Sequence, residues 1–215
     1  MIVIQRIYRC LFLLFLIAGS IRMFAQAPSH EIGLWLVDSE LNETTLLDDD
    51  DDDITIDFEE SAGFGVSYNH FWTDVVSTEI MLSKFSAGMT VTQDDIVGNT
   101  VVDVGELDVT LLTAIAQFHF NRNGRFSPYI GGGAARISGS FDPNDDLDED
   151  AGPIDLESEL TWTAAVGANV RLTDHLALAG EIKYVPWSAV EEDGADEDAV
   201  DIDPVTFSAG LKFRF

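Results

Sequence analysis

Alternation with a period of two constrains this chain more than any other feature. In the run that ends at residue 215, Val205, Phe207, Ala209, Leu211, Phe213 and Phe215 are apolar, while Thr206, Ser208, Gly210, Lys212 and Arg214 between them are small or polar. Leu156, Leu160, Trp162, Ala164, Val166, Ala168, Val170 and Leu172 share one parity, against Glu157, Glu159, Thr161, Thr163, Asn169 and Arg171 on the other. The same holds for Ile54 to Tyr68 and for Leu176 to Tyr184. A strand sends successive side chains to opposite faces, so each run has one apolar and one polar face. Globular strands usually have about five or six residues, whereas these runs reach the roughly 9–11 that a tilted strand needs to cross a bilayer. Only a closed sheet can lie in lipid, because closure leaves no unpaired edge.

Eight such runs are expected, at about 31–40, 54–71, 75–91, 104–120, 127–141, 156–172, 176–190 and 201–215. Trp72-Thr73-Asp74, Asn121 to Phe126 and Thr173-Asp174-His175 are short turns. Segments 41–53, 92–103, 142–155 and 191–200 are longer and mostly acidic. The predicted fold is all-β: an eight-stranded antiparallel up-and-down transmembrane barrel with short periplasmic turns and longer acidic extracellular loops. In the fourth run Leu107, Val109 and Leu111 oppose Leu112, Ala114, Ala116, Phe118 and Phe120 in parity. Either a bulge sits near Leu111-Leu112, or part of the interior is apolar, including Val102, Ile115 and Met81. Phe71, Trp72, Tyr68, Phe120, Phe126, Tyr129 and Phe215 gather near the short turns, with Tyr184, Trp187 and Phe141 near the other end, as girdles at the head-group levels.

The first residues read as an export signal, with Arg6 and Arg9 ahead of an apolar run from Leu11 to Gly19. Cleavage is expected after Ala27 or Ala25, leaving the barrel as residues 28–215. Cys10 precedes the apolar run and leaves with the leader, so neither disulfides nor Cys-ligated metal are expected. The chain has 39 acids against 11 bases, a formal charge of −28. Such a balance excludes nucleic acid as a partner. A hydrophobic share of 46% also excludes an acidic disordered chain.

Three further stretches carry a resemblance. Asn121-Arg122-Asn123-Gly124-Arg125-Phe126-Ser127-Pro128-Tyr129-Ile130-Gly131-Gly132-Gly133 resembles the turn and strand of the OmpW family of outer-membrane proteins. Leu172 to His175 entering Glu181-Ile182-Lys183-Tyr184 is similar to that family's next turn and strand, and Asp201 to Phe215 to its last strand. Phe215 behind Phe213, Leu211 and Phe207 resembles the terminal signal read by the barrel assembly machinery. The polyacidic loops depart from the family. More broadly, the chain resembles small eight-stranded OmpA-like barrels. A monomer in the outer membrane is expected, among its lipid and lipopolysaccharide, and the resemblance implies that it passes small hydrophobic solutes that leave sideways into the bilayer.

The interior parity supplies Glu79, Arg136, Glu157, Glu159, Arg171, Glu181, Lys183, Lys212 and Arg214. An eight-stranded barrel encloses little more than its own side chains, so these charges must be paired or wet. They form either a salt-bridge plug or a polar barrier beneath an apolar extracellular vestibule, assigned to Trp35, Leu107, Val109 and Trp187. Asp142, Asn144, Asp146 and Asp148 step by two and are weak candidates for loosely held Ca²⁺ or Mg²⁺, but no EF-hand pattern is met. Solvated loops are the plainer reading, and no other cofactor is expected. His30, His70, His119 and His175 are scattered, with no serine expected near His119 on its face. No enzyme motif is present, so a non-enzyme is expected. The alternative to a channel is a non-conducting surface barrel whose acidic loops bind divalent cations or an external partner.

Overall fold

The computed structural model describes residues 30–41, 44–47, 53–58, 61–95, 98–144, 153–189, 200–201 and 203–215. Residues 1–29, where the export signal is expected, most of the run Asp48 to Asp53, and the acidic stretches 145–152 and 191–199 lie outside them. Eight long strands carry the fold: β1 (His30–Glu40), β2 (Ala62–Phe71), β3 (Val76–Asp95), β4 (Gly98–His119), β5 (Phe126–Pro143), β6 (Glu159–Arg171), β7 (Leu176–Tyr184) and β8 (Val205–Arg214). Each pairs antiparallel with the next. β8 returns to β1 from Glu31↔Arg214 to Glu40↔Val205 and closes the barrel. Backbone bonds of 3.1 and 3.0 Å between His30 and Phe215 seal the seam at the short-turn end.

The other end is more ordered than its acidic composition suggests. The run expected at 54–71 is two strands: Asp53–Phe58 pairs with Thr44–Leu47 on one side and with β3 on the other, whereas β2 starts only at Ala62. β3 and β4 continue as a hairpin to Asp95 and Gly98 through the segment expected to be a loop. Two residues at Ile154–Asp155 add to β5, and Ser188–Ala189 pairs with Val200–Asp201. The ladder of β3 and β4 slips where Met89 faces Gly105 and Thr90 faces Asp103, leaving Val104 extra. This bulge needs a glycine, because Gly105 has φ +148° and a Cβ there would strike the Asp142 carbonyl oxygen. No register slip occurs at Leu111-Leu112. The apolar interior is the alternative that the structure takes, with Leu107, Val109, Leu111, Ile115 and Met81 all buried. Val102 is exposed.

Inside and outside exchange polarity partway along the strands. On β1 the outward Ile32, Leu34 and Leu36 give way to outward Asp38 and Glu40, while inward Val37 is buried. On β3 outward Ile80 and Leu82 give way to Lys84 and Ser86, and inward Glu79 gives way to Phe85 and Ala87. On β4 the outward face runs Phe118, Ala116, Ala114, Leu112, then Thr110 and Asp108, while the inward face runs His119, Gln117, Ile115, Thr113, then Leu111, Val109 and Leu107. The backbone does not change; its surroundings do. Where hydrocarbon lies outside, apolar groups face out and polar ones in. Where water lies outside, the usual arrangement of a soluble barrel returns. The exposed apolar band therefore marks the lipid-facing zone. Tyr68, Trp72, Phe120, Phe126 and Phe215 rim its short-turn edge, all exposed. Phe71, Tyr129 and Trp187, expected in the girdles, instead point inward and are 0–2% exposed. Phe141 and Leu156 pack against the interior rather than facing lipid, because both lie above the level at which the pattern inverts.

Candidate functional site

The lumen has two layers. At the short-turn end the inward positions of β1 to β8 are mostly polar. Lys212 Nζ reaches Glu79 Oε2 at 2.7 Å, with both side chains essentially inaccessible. Lys183 Nζ lies 3.0 Å from Glu181 Oε1, and the Tyr129 hydroxyl donates to Glu181 Oε2 at 3.0 Å. Gln117 Nε2 donates to Glu79 Oε1 at 3.2 Å and its Oε1 accepts from Asn69 Nδ2 at 3.0 Å. Below this, Arg214 donates through Nη2 and Nε to Glu31 Oε1 at 2.6 and 2.9 Å. Arg122, from the turn between β4 and β5, lies 3.7 Å over the Phe71 ring and reaches Asp74 at 3.3 Å. Burial holds the Arg122 guanidinium below its ordinary value. A cavity of about 30 Å³ remains at this end, lined by His119, Arg122, Ser127, Asn169 and Arg171 among others. That is room for roughly one or two waters.

Above the polar layer lies an apolar cluster. Trp35, Val37, Met81, Phe85, Leu107, Val109, Leu111, Ile137, Val185 and Trp187 are its main members, none more than 4% exposed. Leu41, Phe58, Phe141 and Leu156 pack against it. The Trp35 indole bridges the layers, because its Nε1 donates to Ser67 at 2.9 Å while Lys212 Nζ lies 5.0 Å from its ring.

Of the residues singled out in the sequence, Trp35, Leu107, Val109 and Trp187 all fall in this single cluster. They pack against each other rather than line an open cup. Glu79, Glu181, Lys183, Lys212 and Arg214 meet in the polar layer, and Arg171 joins it at the edge, donating to the Arg122 carbonyl at 2.9 Å. Arg136 does not: it is exposed on the outer wall and donates to Ser158 at 3.0 Å. Glu157 is exposed and Glu159 half-buried near the same rim. Parity misplaces Arg136 because Ala135 and Ile137 face an apolar upper lumen, leaving Arg136 for the water side. Glu31, Asn69, Gln117 and Arg122 complete the network and were not singled out, although Glu31 shares the inward parity of Trp35.

The expectation of no serine near His119 is also overturned. Ser77 Oγ lies 3.0 Å from His119 Nε2, because the register puts Ser77 beside Gln117 and both inward. Both residues are fully buried, and His119 Nδ1 has no partner among the described residues to orient the ring. The arrangement reads as part of the polar packing. Asp142 is exposed and Asn144 bonds the Val104 carbonyl through its backbone, while Asp146 and Asp148 lie outside the described residues. Among the described residues no three His, Cys, Asp or Glu side chains converge as metal ligands.

On the outer wall above the apolar band, Lys84 Nζ holds Asp108 Oδ2 at 2.8 Å. Hydrogen bonds from Lys84 first and Ser86 second hold the Asp108 carboxyl below the usual carboxylate range.

A closed antiparallel sheet with a lipid-facing apolar band and buried polar groups inside it is the architecture of an outer-membrane barrel. The family model described as outer membrane protein beta-barrel domain matches residues 11–215. The chain belongs to that family. This outer-membrane barrel is 26% identical over 152 residues to an uncharacterized outer-membrane protein, y4mB, of Sinorhizobium fredii, covering 68% of this chain and 63% of that protein. The barrel thus spans less than two thirds of that relative's length. Among solved structures it is similar to OprG of Pseudomonas aeruginosa, with TM-score 0.70, 13% identity and coverage of 88% and 97% of the two chains. It is also similar to Neisserial surface protein A, with TM-score 0.60, 12% identity and coverage of 88% and 100%. AlkL, solved in lipid bilayers, matches with TM-score 0.53, 17% identity and coverage of 89% and 92%. At these identities the likeness shows the fold. The outer-membrane barrel resides in the outer membrane, as the family, the named relative and the exposed apolar band agree.

Proposed function

We propose that this barrel is a narrow passage for small hydrophobic molecules across the outer membrane, as the OmpW resemblance implies. One observation supports the reading above the rest: the extracellular half of the lumen is apolar from Trp35 to Trp187, and a layer of buried ion pairs lies directly beneath it. An apolar solute partitions into the first and is refused by the second, since crossing would disrupt buried charge pairs. Its remaining route is sideways. The β1–β2 ladder stops at Val37↔Gly63. Beyond that point the Ser61 hydroxyl bonds both the backbone N–H and carbonyl of Ser39. A side-chain bridge opens more readily than a ladder, and Val37 of the apolar cluster stands behind it. The test is uptake of an apolar dye into vesicles containing the purified barrel. Val109→Asp abolishes uptake while the barrel still resists unfolding on a gel; unchanged uptake refutes the passage.

The tight packing of the cluster supports a second reading, a non-conducting surface barrel whose acidic loops bind divalent cations or a partner. On that reading vesicles take up no dye with either protein, and calcium binding follows the loops.

A further inference from the structure

We infer that the outer wall of β3, β4 and β5 docks the phosphorylated sugar head group of an outer-leaflet glycolipid, held by Lys84 and Arg136. From residue 28 onward the chain has eight basic residues. Lys183 and Lys212 are sealed in the lumen, and Arg122, Arg125, Arg171 and Arg214 sit at the short-turn end. Only Lys84 and Arg136 face outward at the extracellular edge, on a chain whose charge there is otherwise acidic. They flank a depression of about 420 Å³ that is lined by Thr110, Ser138, Ser140 and Ser158. Register explains the gathering: Lys84, Thr110 and Ser138 lie on one row of paired residues, and Ser86, Asp108 and Ser140 on the next.

Position selects the occupant. One step toward the membrane from Lys84 and Thr110, Leu82 and Leu112 face lipid and are exposed, and Arg136 stands in their row on β5. The depression opens sideways from the barrel wall at the upper edge of that band, where Arg136 stands between Leu112 and Leu160. A molecule reaching it must lie alongside the barrel with its chains in the hydrocarbon and its head at this level. An outer-leaflet lipid does so. The hydroxyls suit a sugar, and a guanidinium with further N–H donors beyond the one on Ser158 suits a phosphate. Asp108 and Asp155 line the same depression. Asp108 is answered by Lys84 at 2.8 Å, which leaves Arg136 as the anchor and Lys84 as the second cation. The acids also define the rival: a divalent ion bridging them to the phosphate.

The experiment uses the full chain folded in phosphatidylcholine nanodiscs with diphosphoryl lipid A as the probe, and reads lipid A retained per barrel by mass spectrometry after washing. The wild type retains it with EDTA present. Lys84→Glu/Arg136→Glu lowers retention about tenfold, Arg136→Gln lowers it several-fold, and Arg125→Glu at the other rim does not. Dephosphorylated lipid A shows no difference between wild type and variants. Equal retention by wild type and Arg136→Gln overturns the inference. Loss of wild-type retention on adding EDTA overturns it in favour of the cation bridge. Because Arg136→Gln keeps size and polarity, gel mobility of the unheated protein confirms that it remains folded. Neither result bears on whether the lumen conducts.

Discussion

Replacing Lys212 by Met isolates the energetic role of the polar layer. Lys212 and Glu79 are both essentially inaccessible and 2.7 Å apart, and Lys212 also sits 5.0 and 5.4 Å from the Trp35 and Tyr129 rings. Met fills nearly the same volume, so the change removes charge rather than bulk. It leaves Glu79 buried with only the neutral donors Gln117 at 3.2 Å and Ser67 at 3.4 Å within hydrogen-bond reach among the described residues. Removing one partner of a buried pair costs about 3–5 kcal/mol, because an uncompensated charge stays in the interior. At about 1.4 kcal/mol per tenfold, this lowers the folding equilibrium constant roughly a hundred- to several-thousand-fold. The double variant Glu79→Gln/Lys212→Met removes both charges and restores most of the loss, since replacing a whole buried pair is often close to neutral. The assay is urea unfolding of the barrel in vesicles, followed by tryptophan fluorescence. A single variant that loses under about 1 kcal/mol, or a double variant as unstable as the single, refutes the claim that the lumen depends on this pair.

Three other outcomes follow from the same geometry. Leu34→Arg, mid-band on β1, lowers stability in vesicles by about 2–4 kcal/mol, whereas Asp38→Arg above the band changes it little. Gly105→Ala costs about 1–3 kcal/mol in the same unfolding assay, because the bulge holds φ at +148°, while Gly132→Ala, whose new Cβ meets only one atom at 3.5 Å, is mild. The Asp108 carboxyl is depressed when folded. Its contribution is therefore present above the unfolded value near 3.9 and fades as pH falls through the lower folded value. Lys84→Met weakens that dependence and leaves the part due to Ser86, and the effect stays below about 1 kcal/mol because both side chains are about half exposed.

Strand count, closure and the lipid-facing faces of β1, β6, β7 and β8 were legible because hydrocarbon outside and polar groups inside enforce one rule along those runs. Leu160, Trp162 and Val166 facing out are the plainest case. The rule failed where the outside medium changes. Leu107, Val109 and Leu111 against Asp108 and Thr110 obey the soluble rule, so the fourth run looked broken near Leu111-Leu112 although its register is continuous from Gly105 to Phe118. Arg136 was misassigned for the same reason. Six of the lumen charges, Arg171 at the edge among them, were legible from parity, but their pairing was not. Glu79 finds Lys212 across 133 residues, and Ser77 finds His119 across 42, through register alone. The strand content of the acidic segments stayed hidden because charge argues against strands, while pairing of Thr44–Leu47 with Asp53–Phe58 and of β3 with β4 outweighs that local preference.

The exchange of polarity along the strands also fixes how the molecule sits in its membrane. Asp38, Lys84, Asp108 and Arg136 form a partial hydrophilic collar on β1 and β3 to β5, at the upper edge of a leucine-rich belt. To slide inward, the collar would have to enter hydrocarbon, at about 2–4 kcal/mol for each lysine or arginine near the midplane. To slide outward, the belt would have to enter water. The barrel is thereby moored at one depth from both directions, and the lumen's ion-pair layer is held within the plane of the bilayer.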